Sequence, residues 1–489
     1  MDMNGFVESA ELDQFRYRSG AFFLGEIDAA HGAKFEAGLE DDKHLFVVAG
    51  SRAGKGTSII IPNLIRWQGG VLCVDPKGEN ASITAMRRGR KEDAEKTGTA
   101  VTDFIGQRVA ILDPLGEVKG AARRYRVTYD PLSDIDIKSD DAANQIYNVI
   151  EAVVLTEQGG EHWTDSAGAI LAGIIEHVLI VEDRKNHSFA FVRKLLGEGF
   201  DALEKRLKNS PITPAALAQE AAALLEDTTG DELSGFKSTL RRQMRWISDP
   251  RMQKHLTPSE FSLRQAMQEN WSVYIVLPPR MMHRFKRWMR LIINTALDAK
   301  MGSPFEHQGA RTLFVLDEFS SLGHFTLIEE SAASMAGYGI KLMPVIQNLG
   351  QVRRDYGKNW ETFIGNAGAI CAFGLNDFET EEYIAKRMGN VMVWEQSYGE
   401  SASREPMSMS DKSTSTSQNL GLRDRPVRWP NEVHEETARQ TMRMFVILAD
   451  GRPVAISRQD YTTLPATMYD SPAHIAEWEK RYAAHAATA

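Results

Sequence analysis

The 489-residue sequence has little cysteine: two residues, Cys73 and Cys371. Each lies in a short apolar run (GGVLCVD and GAICAFG) that reads as a strand, so both are expected to be buried structural thiols. No metal-ligand spacing involves them, and the 12 histidines are scattered. So few thiols fit a reducing compartment. An excess of positive charge is also missing. Lys and Arg number 57 against 66 Asp and Glu, a net charge of -9. A wholesale basic surface is thereby excluded, and any contact with nucleic acid must be local, in a groove or pore. No signal peptide opens the sequence. The longest strongly apolar stretch, 171–181 (LAGIIEHVLIV), falls short of the roughly 20 residues that span a bilayer and is interrupted, which predicts a soluble chain. No internal repeat is evident.

What is present is ordinary for a globular protein: 43% hydrophobic and 25% charged residues. The length gives a prior of about two to four domains. Short apolar strands alternate with helical segments, the pattern of a parallel α/β sheet. Strands are expected at 44–49, 70–75 and 107–113, and again at 271–277, 312–316, 340–346, 367–373 and 442–449. Between 140 and 269 the segments read as helical. There Ile170, Leu171, Ile174, Ile175, Val178 and Leu179 recur at helical spacing, a core-facing stripe. This predicts an all-α domain (140–269) inserted into a discontinuous sheet domain (1–139 and 270–489). Residues 397–418 (SYGESASREPMSMSDKSTSTSQ) are rich in serine and poor in apolar side chains, so they predict an exposed flexible loop. The tail RYAAHAATA is expected to be frayed or weakly helical.

Residues 49–58, AGSRAGKGTS, resemble a phosphate-binding loop but depart from G-x-x-x-x-G-K-[S/T] twice. Gly50 sits one place late, and Gly56 stands where a magnesium-binding hydroxyl is expected. The setting is right nonetheless. A strand delivers the chain to a glycine-permitted turn, and a helix expected at 57–67 follows, so backbone N–H groups and the helix dipole face an anion. The candidate nucleotide contacts are Gly50, Ser51, Arg52, Ala53, Gly54, Lys55, Gly56, Thr57 and Ser58. Lys55 is placed to pair with β- and γ-phosphate oxygens, and Thr57 to reach magnesium directly or through water.

Two further elements strengthen that reading. Residues 313–318 (LFVLDE) form an apolar run ending in two acids, the Walker B pattern. Asp317 would hold the magnesium shell, and Glu318 would polarise the attacking water. Gln347 ends the apolar run IKLMPVI, expected to lie beside the Walker B strand, where an amide can touch the γ-phosphate and report its loss.

Together these residues resemble the coupling ATPases of type IV secretion systems, the TraG/TraD-like conjugation proteins. The shared features are the GKG form of the loop, Ile61-Pro62-Asn63-Leu64, and Asp75-Pro76-Lys77-Gly78-Glu79. The likeness continues through Ile111-Leu112-Asp113-Pro114, Tyr129-Asp130-Pro131-Leu132, His162-Trp163, the Walker B region, Gly337-Tyr338-Gly339-Ile340 and the closing stretch 452–461. It covers most of residues 18–465. The resemblance implies a RecA-like P-loop NTPase domain with a mainly parallel sheet plus the inserted all-α domain. It implies ATP and Mg2+ as cofactors, Lys55, Glu318 and Gln347 as catalytic residues, and Thr57 and Asp317 on the metal. It further implies a homo-hexamer on assembly, possible as a monomer in isolation. Implied partners are DNA, expected to be single-stranded and to carry relaxase-type protein cargo, and the inner-membrane subunits of the secretion machine. Many relatives carry N-terminal transmembrane helices. None is seen here, which leaves two readings open: a native start that lies upstream of this sequence, or a variant recruited by another subunit to the inner face of the bacterial inner membrane from the cytoplasm. A basic residue often precedes the GYGI segment as a trans-acting finger. Here Met335-Ala336-Gly337 stands there, and Arg353 or Arg354 is the substitute considered.

Basic clusters occur at 87–91, at Arg241, Arg242 and Arg245, and from Arg280 to Arg290. The first, through Arg87, Arg88 and Arg90, is expected to line a DNA channel. Trp246 and Trp288 beside the other clusters read as core anchors or base-stacking platforms. Two other functions remain open at this level: a DNA translocase of the FtsK/HerA type outside secretion, and a substrate-docking receptor with little ATPase activity.

Overall fold

In the computed structural model, the described residues are 5–28, 33–95, 97–155, 161–302, 305, 310–403 and 413–488. Thirteen strands are formed among them: β1 Phe22–Asp28, β2 Lys34–Leu39, β3 His44–Ala49, β4 Val71–Asp75, β5 Val109–Leu112, β6 Ser272–Val276, β7 Thr312–Asp317, β8 Ile340–Ile346, β9 Ala367–Phe373, β10 Asn390–Ser403, β11 Ser413–Pro426, β12 Arg443–Leu448 and β13 Val454–Ser457. Eleven make one sheet in the order β2-β1-β13-β12-β9-β3-β8-β7-β4-β6-β5. From β9 to β5 every pairing is parallel. From β9 outward through β12, β13, β1 and β2 every pairing is antiparallel. The Walker B strand β7 does lie beside β8, as expected.

The parallel strands are buried on both faces, so they read as unbroken apolar runs in sequence. The pleat still sorts them by parity. Phe46 and Val48 point into one core with Leu72, Val74, Phe314 and Leu316. Leu45 and Val47 point into the other with Cys73, Val315, Val345 and Cys371. Both cysteines are buried and unpaired.

Between β5 and β6 the described residues form no strand, and helices run from Ala142–Val153 to Leu263–Gln268. Their centre is Glu161–Val181. The stripe Ile170, Leu171, Ile174, Ile175, Val178 and Leu179 is buried and continuous with the first of the two sheet cores. Each such side chain contributes about 1.5–3 kcal/mol by leaving water. At 21 residues the helix is longer than the apolar run suggested, long and apolar enough by composition to cross a membrane, but 72% of that stretch is buried within the protein.

One expectation is corrected. In place of the loop expected at 397–418, residues 390–403 and 413–426 pair as a two-stranded antiparallel ribbon, Asn390 opposite Pro426 through Ser403 opposite Ser413. Residues 404–412 lie outside the described residues. The serine- and threonine-rich sequence carries no apolar alternation to announce a strand, while its β-branched threonines tolerate one. The tail is helical, within Pro472–Thr488.

Candidate functional site

The loop after β3 is shaped by two glycines. Gly50 packs against the turn that follows β9, and a Cβ there would lie 2.0 Å from the Gly374 carbonyl oxygen, so only glycine fits. Gly54 takes φ +94°, a conformation that side-chain-bearing residues rarely adopt. The Ala53 N–H donates to the Gly50 carbonyl at 3.2 Å and closes the turn. Ser51 and Arg52 are exposed. The helix that follows opens with a wide π turn, Gly56–Ile60, and continues as Ile61–Arg66.

The two hydroxyls after Gly56 differ. Ser58 is fully buried and donates to the Gly54 carbonyl at 2.8 Å. Thr57 is half-buried and makes a longer contact, 3.3 Å, to the same oxygen. Thr57 is therefore the hydroxyl free to turn toward a metal. A Cβ on Gly56 would meet nothing within 4 Å, so the place of the missing hydroxyl is open space.

Lys55 leaves the first helical turn and meets the end of β7. Its Nζ lies 2.9 Å from Asp317 Oδ1 and 2.5 Å from Glu318 Oε1. Gln347, at the end of β8, donates from Nε2 to both Glu318 oxygens, at 3.1 and 3.0 Å. Three neighbouring strands thus bring all four predicted residues together at the carboxyl edge of the sheet. Glu318 itself is held at φ 57°, in the left-handed region, and its N–H donates to Asp317 Oδ1 at 3.0 Å. Such strain costs on the order of 1–3 kcal/mol and gathers at functional sites. Burial pulls the Lys55 ammonium down, but Asp317 and Glu318 outweigh it and raise its pKa. Burial likewise pushes the Asp317 carboxyl up, and Lys55 only partly opposes it. Thr57 and Asp317 supply hard oxygen donors of the kind Mg2+ accepts alongside phosphate oxygens, so they fit that ion.

Two residues escaped the sequence reading. Asp75, at the end of β4 beside β7, is fully buried, and burial lifts its carboxyl to about 7, opposed by the Ala81 N–H at 2.8 Å and assisted by Asp317. The DPKGE stretch was its only signal. Arg458, just past β13, donates to the Ala53 carbonyl at 2.7 Å. It lies in the closing stretch 452–461, where nothing set it apart from its neighbours.

The proposed DNA cluster is corrected in two of its three members. Arg88 is fully buried and donates to the carbonyls of Leu64, Trp67 and Gly69 at 2.5, 2.8 and 2.7 Å, to Ser272 Oγ and to Gln107. A helix leaves its last carbonyls without partners, and Arg88 satisfies those at the end of Ile61–Arg66. Arg87 is buried too, paired with Asp103 and reaching the Ile65 carbonyl. Only Arg90 is exposed, beside Lys91 and Phe104 at an open cavity. Arg241, Arg242 and Arg245 are exposed. Trp246 and Trp288 are core residues. Arg353 pairs with Glu379 over the Trp360 ring, and Arg354 pairs with Asp355.

Comparison with known proteins agrees with this geometry. The chain is 26% identical over 373 residues to the conjugal transfer protein TraG of Escherichia coli, covering 72% of this chain and 55% of that protein. It is 23% identical over 419 residues to the type IV secretion system-coupling protein VirD4 of Bartonella henselae, covering 84% and 61%. The chain thus spans little more than half the length of these relatives. The plasmid coupling protein TrwB, solved in complex with ADP and Mg2+, superposes with a TM-score of 0.64 at 15% identity over 94% of each chain, a likeness of fold. The sequence profile of the family described as type IV secretory system conjugative DNA transfer matches residues 8–476. The chain belongs to the type IV secretory system conjugative DNA transfer family.

Proposed function

We propose that the chain is an ATP-hydrolysing coupling motor that passes DNA, or DNA bearing a protein, into a type IV secretion machine. The observation that carries this is the Lys55 ammonium lying between Asp317 and Glu318 while Gln347 holds both Glu318 oxygens. Arriving phosphates draw Lys55 away from the carboxylates toward the β- and γ-oxygens. Glu318 is then released to orient a water in line with the γ-phosphorus and to take its proton, and ADP departs. Thr57 and Asp317 would hold Mg2+, which would supply charge neutralisation on the phosphate oxygens. Gln347 returns to Glu318 once the γ-phosphate has gone.

The sheet segments 1–139 and 270–489 form the motor, and the helices of 140–269 face the cargo. Single-stranded DNA with a relaxase-type protein is the cargo class, the secretion machine's inner-membrane subunits are the docking partners, and a homo-hexamer on the cytoplasmic face of the membrane is the working assembly. The shared family and the TrwB fold with ADP and Mg2+ support this reading. ATP turnover measured with and without single- and double-stranded DNA tests it. Turnover raised by DNA and abolished in Lys55→Ala is expected. No turnover under any condition leaves a docking receptor instead. Stimulation by double-stranded DNA alone points to a translocase outside secretion.

A further inference from the structure

The phosphate loop is braced from behind by a cation that no acid balances. Arg458 follows β13, and only 4% of it is exposed. Its Nη1 donates to the Ala53 carbonyl at 2.7 Å and lies 3.4 Å from Ser58 Oγ. Nη2 donates to the Arg439 carbonyl at 3.3 Å. The guanidinium lies over the Phe373 ring, 4.3 Å from its centre. A Cβ on Gly54 would come within 3.4 Å of Nη1, so the guanidinium touches the turn at its most permissive point. Among the described residues no carboxylate pairs with Arg458, and the charge that acts on it most is another cation, Arg439. Its Nε is buried without a partner. Burial lowers its pKa to about 10, which leaves it charged at neutral pH.

A buried charge without a counter-ion is costly, and large penalties of this kind persist where a ligand completes the site. The ligand class that fits is anionic, because the residues Arg458 touches are those of the phosphate loop. The Ala53 contact has a second effect. A carbonyl oxygen turned into the loop would repel a phosphate, and this one is engaged by Arg458 in a charge-assisted hydrogen bond.

We propose that Arg458 is a positioning residue for the nucleotide phosphates: it keeps the Ala53 carbonyl out of the loop and places a buried positive charge behind the bound anion. The proposal rests on the reading of this loop as a nucleotide site. It also makes the strand pair β12 and β13 a support of that site, since the Arg458 N–H donates to the Met442 carbonyl at 2.7 Å.

Titration of the full chain with a fluorescent ADP analogue, between roughly 50 and 300 mM salt, tests it. The variants are Arg458→Lys, which keeps the charge, Arg458→Gln, which keeps a donor but not the charge, and Lys55→Ala. Nucleotide-free thermal midpoints are recorded for each. Arg458→Gln should weaken binding about tenfold and flatten its salt dependence, while Arg458→Lys stays within about threefold with the wild-type slope. Equal losses in both variants at an unchanged slope, or lowered midpoints with wild-type binding, make Arg458 a structural brace and overturn the proposal. Failure of both variants to fold does the same. Wild-type protein that does not bind ADP overturns the nucleotide reading, and this one with it. Binding lost in Lys55→Ala but intact in Arg458→Gln sinks this inference alone.

Discussion

Glu318 carries two partners at once: Lys55 on one oxygen and Gln347 on both. Removing the amide leaves the carboxylate without its orienting donor. Gln347→Leu should therefore lower kcat roughly 10- to 100-fold with little change in the KM for ATP, as steady-state kinetics would show. Arg88 illustrates the opposite case, a charge that is wholly structural. Arg88→Met strands the carbonyls of Leu64 and Trp67, while Gly69 keeps the Gln107 amide, and should cost about 3 kcal/mol or more, read as a drop in the urea midpoint. His255 sets a pH dependence. It is buried against Trp288 and has no partner on Nε2, and burial lowers its pKa to about 4, with Asp113 opposing. The unfolded chain takes up the proton near pH 6.5 and the folded one only near 4. Stability from this site is complete above pH 6.5 and falls as pH drops through that window, by about 3 kcal/mol in all. His255→Phe should flatten the slope of unfolding free energy between pH 6.5 and 4. Of the residues legible in advance, Asp317, Glu318 and Gln347 mark the ends of apolar strands at a break in the pattern, and Lys55 closes the glycine loop that follows one. Arg458 was not, because its contact with Ala53 spans 405 positions. Arg88 was misread because a run of basic letters does not distinguish a guanidinium that caps carbonyls from one that faces water.

At the scale of elements, the helix Pro279–Met301 joins the site to the helical segment. On one turn Arg290 donates to the carbonyls of Leu322 and His324, in the loop that begins with Glu318. On the turn before, Arg287 donates to the Val153 carbonyl at 3.0 Å and to Gln243 Oε1 at 2.6 Å. The two arginines stand three residues apart, about 4.5 Å along the helix axis, so adjacent turns of one helix hold both the loop and the helical segment. Arg287→Met should leave ADP affinity within about twofold while removing more than half of any DNA stimulation, compared as the ratio of stimulated to basal turnover. Most of these elements were legible. The parallel strands announce themselves as apolar runs with breakers after them. The ribbon of β10 and β11 did not, because its serine- and threonine-rich sequence carries no alternation of apolar and polar residues. The first two strands were missed for a related reason: they belong to the antiparallel margin, where β2 is exposed at its start and buried only at its end.

At the scale of the molecule, that margin is a clasp between the two ends of the chain. β1 and β2 reach the rest of the sheet only through β13 (Glu26 opposite Ser457). Ending the chain at Asp450 removes β13 and Arg458 together, and leaves Phe22, Leu24 and Ile27 without the strand that anchors them. Such a truncation should be insoluble, or lack a cooperative thermal transition by circular dichroism. The neighbours of β3 tell the same story, for both β8 and β9 arrive some 300 residues later in sequence. The phosphate loop cannot take its final shape until residue 458 has emerged, because the Arg458 contact with Ala53 spans 405 positions. β1 and β2 lie close enough in sequence to pair with each other early, but the apolar β3 that follows them waits for β8 and β9, so its edges go without partners through some 300 residues of chain growth.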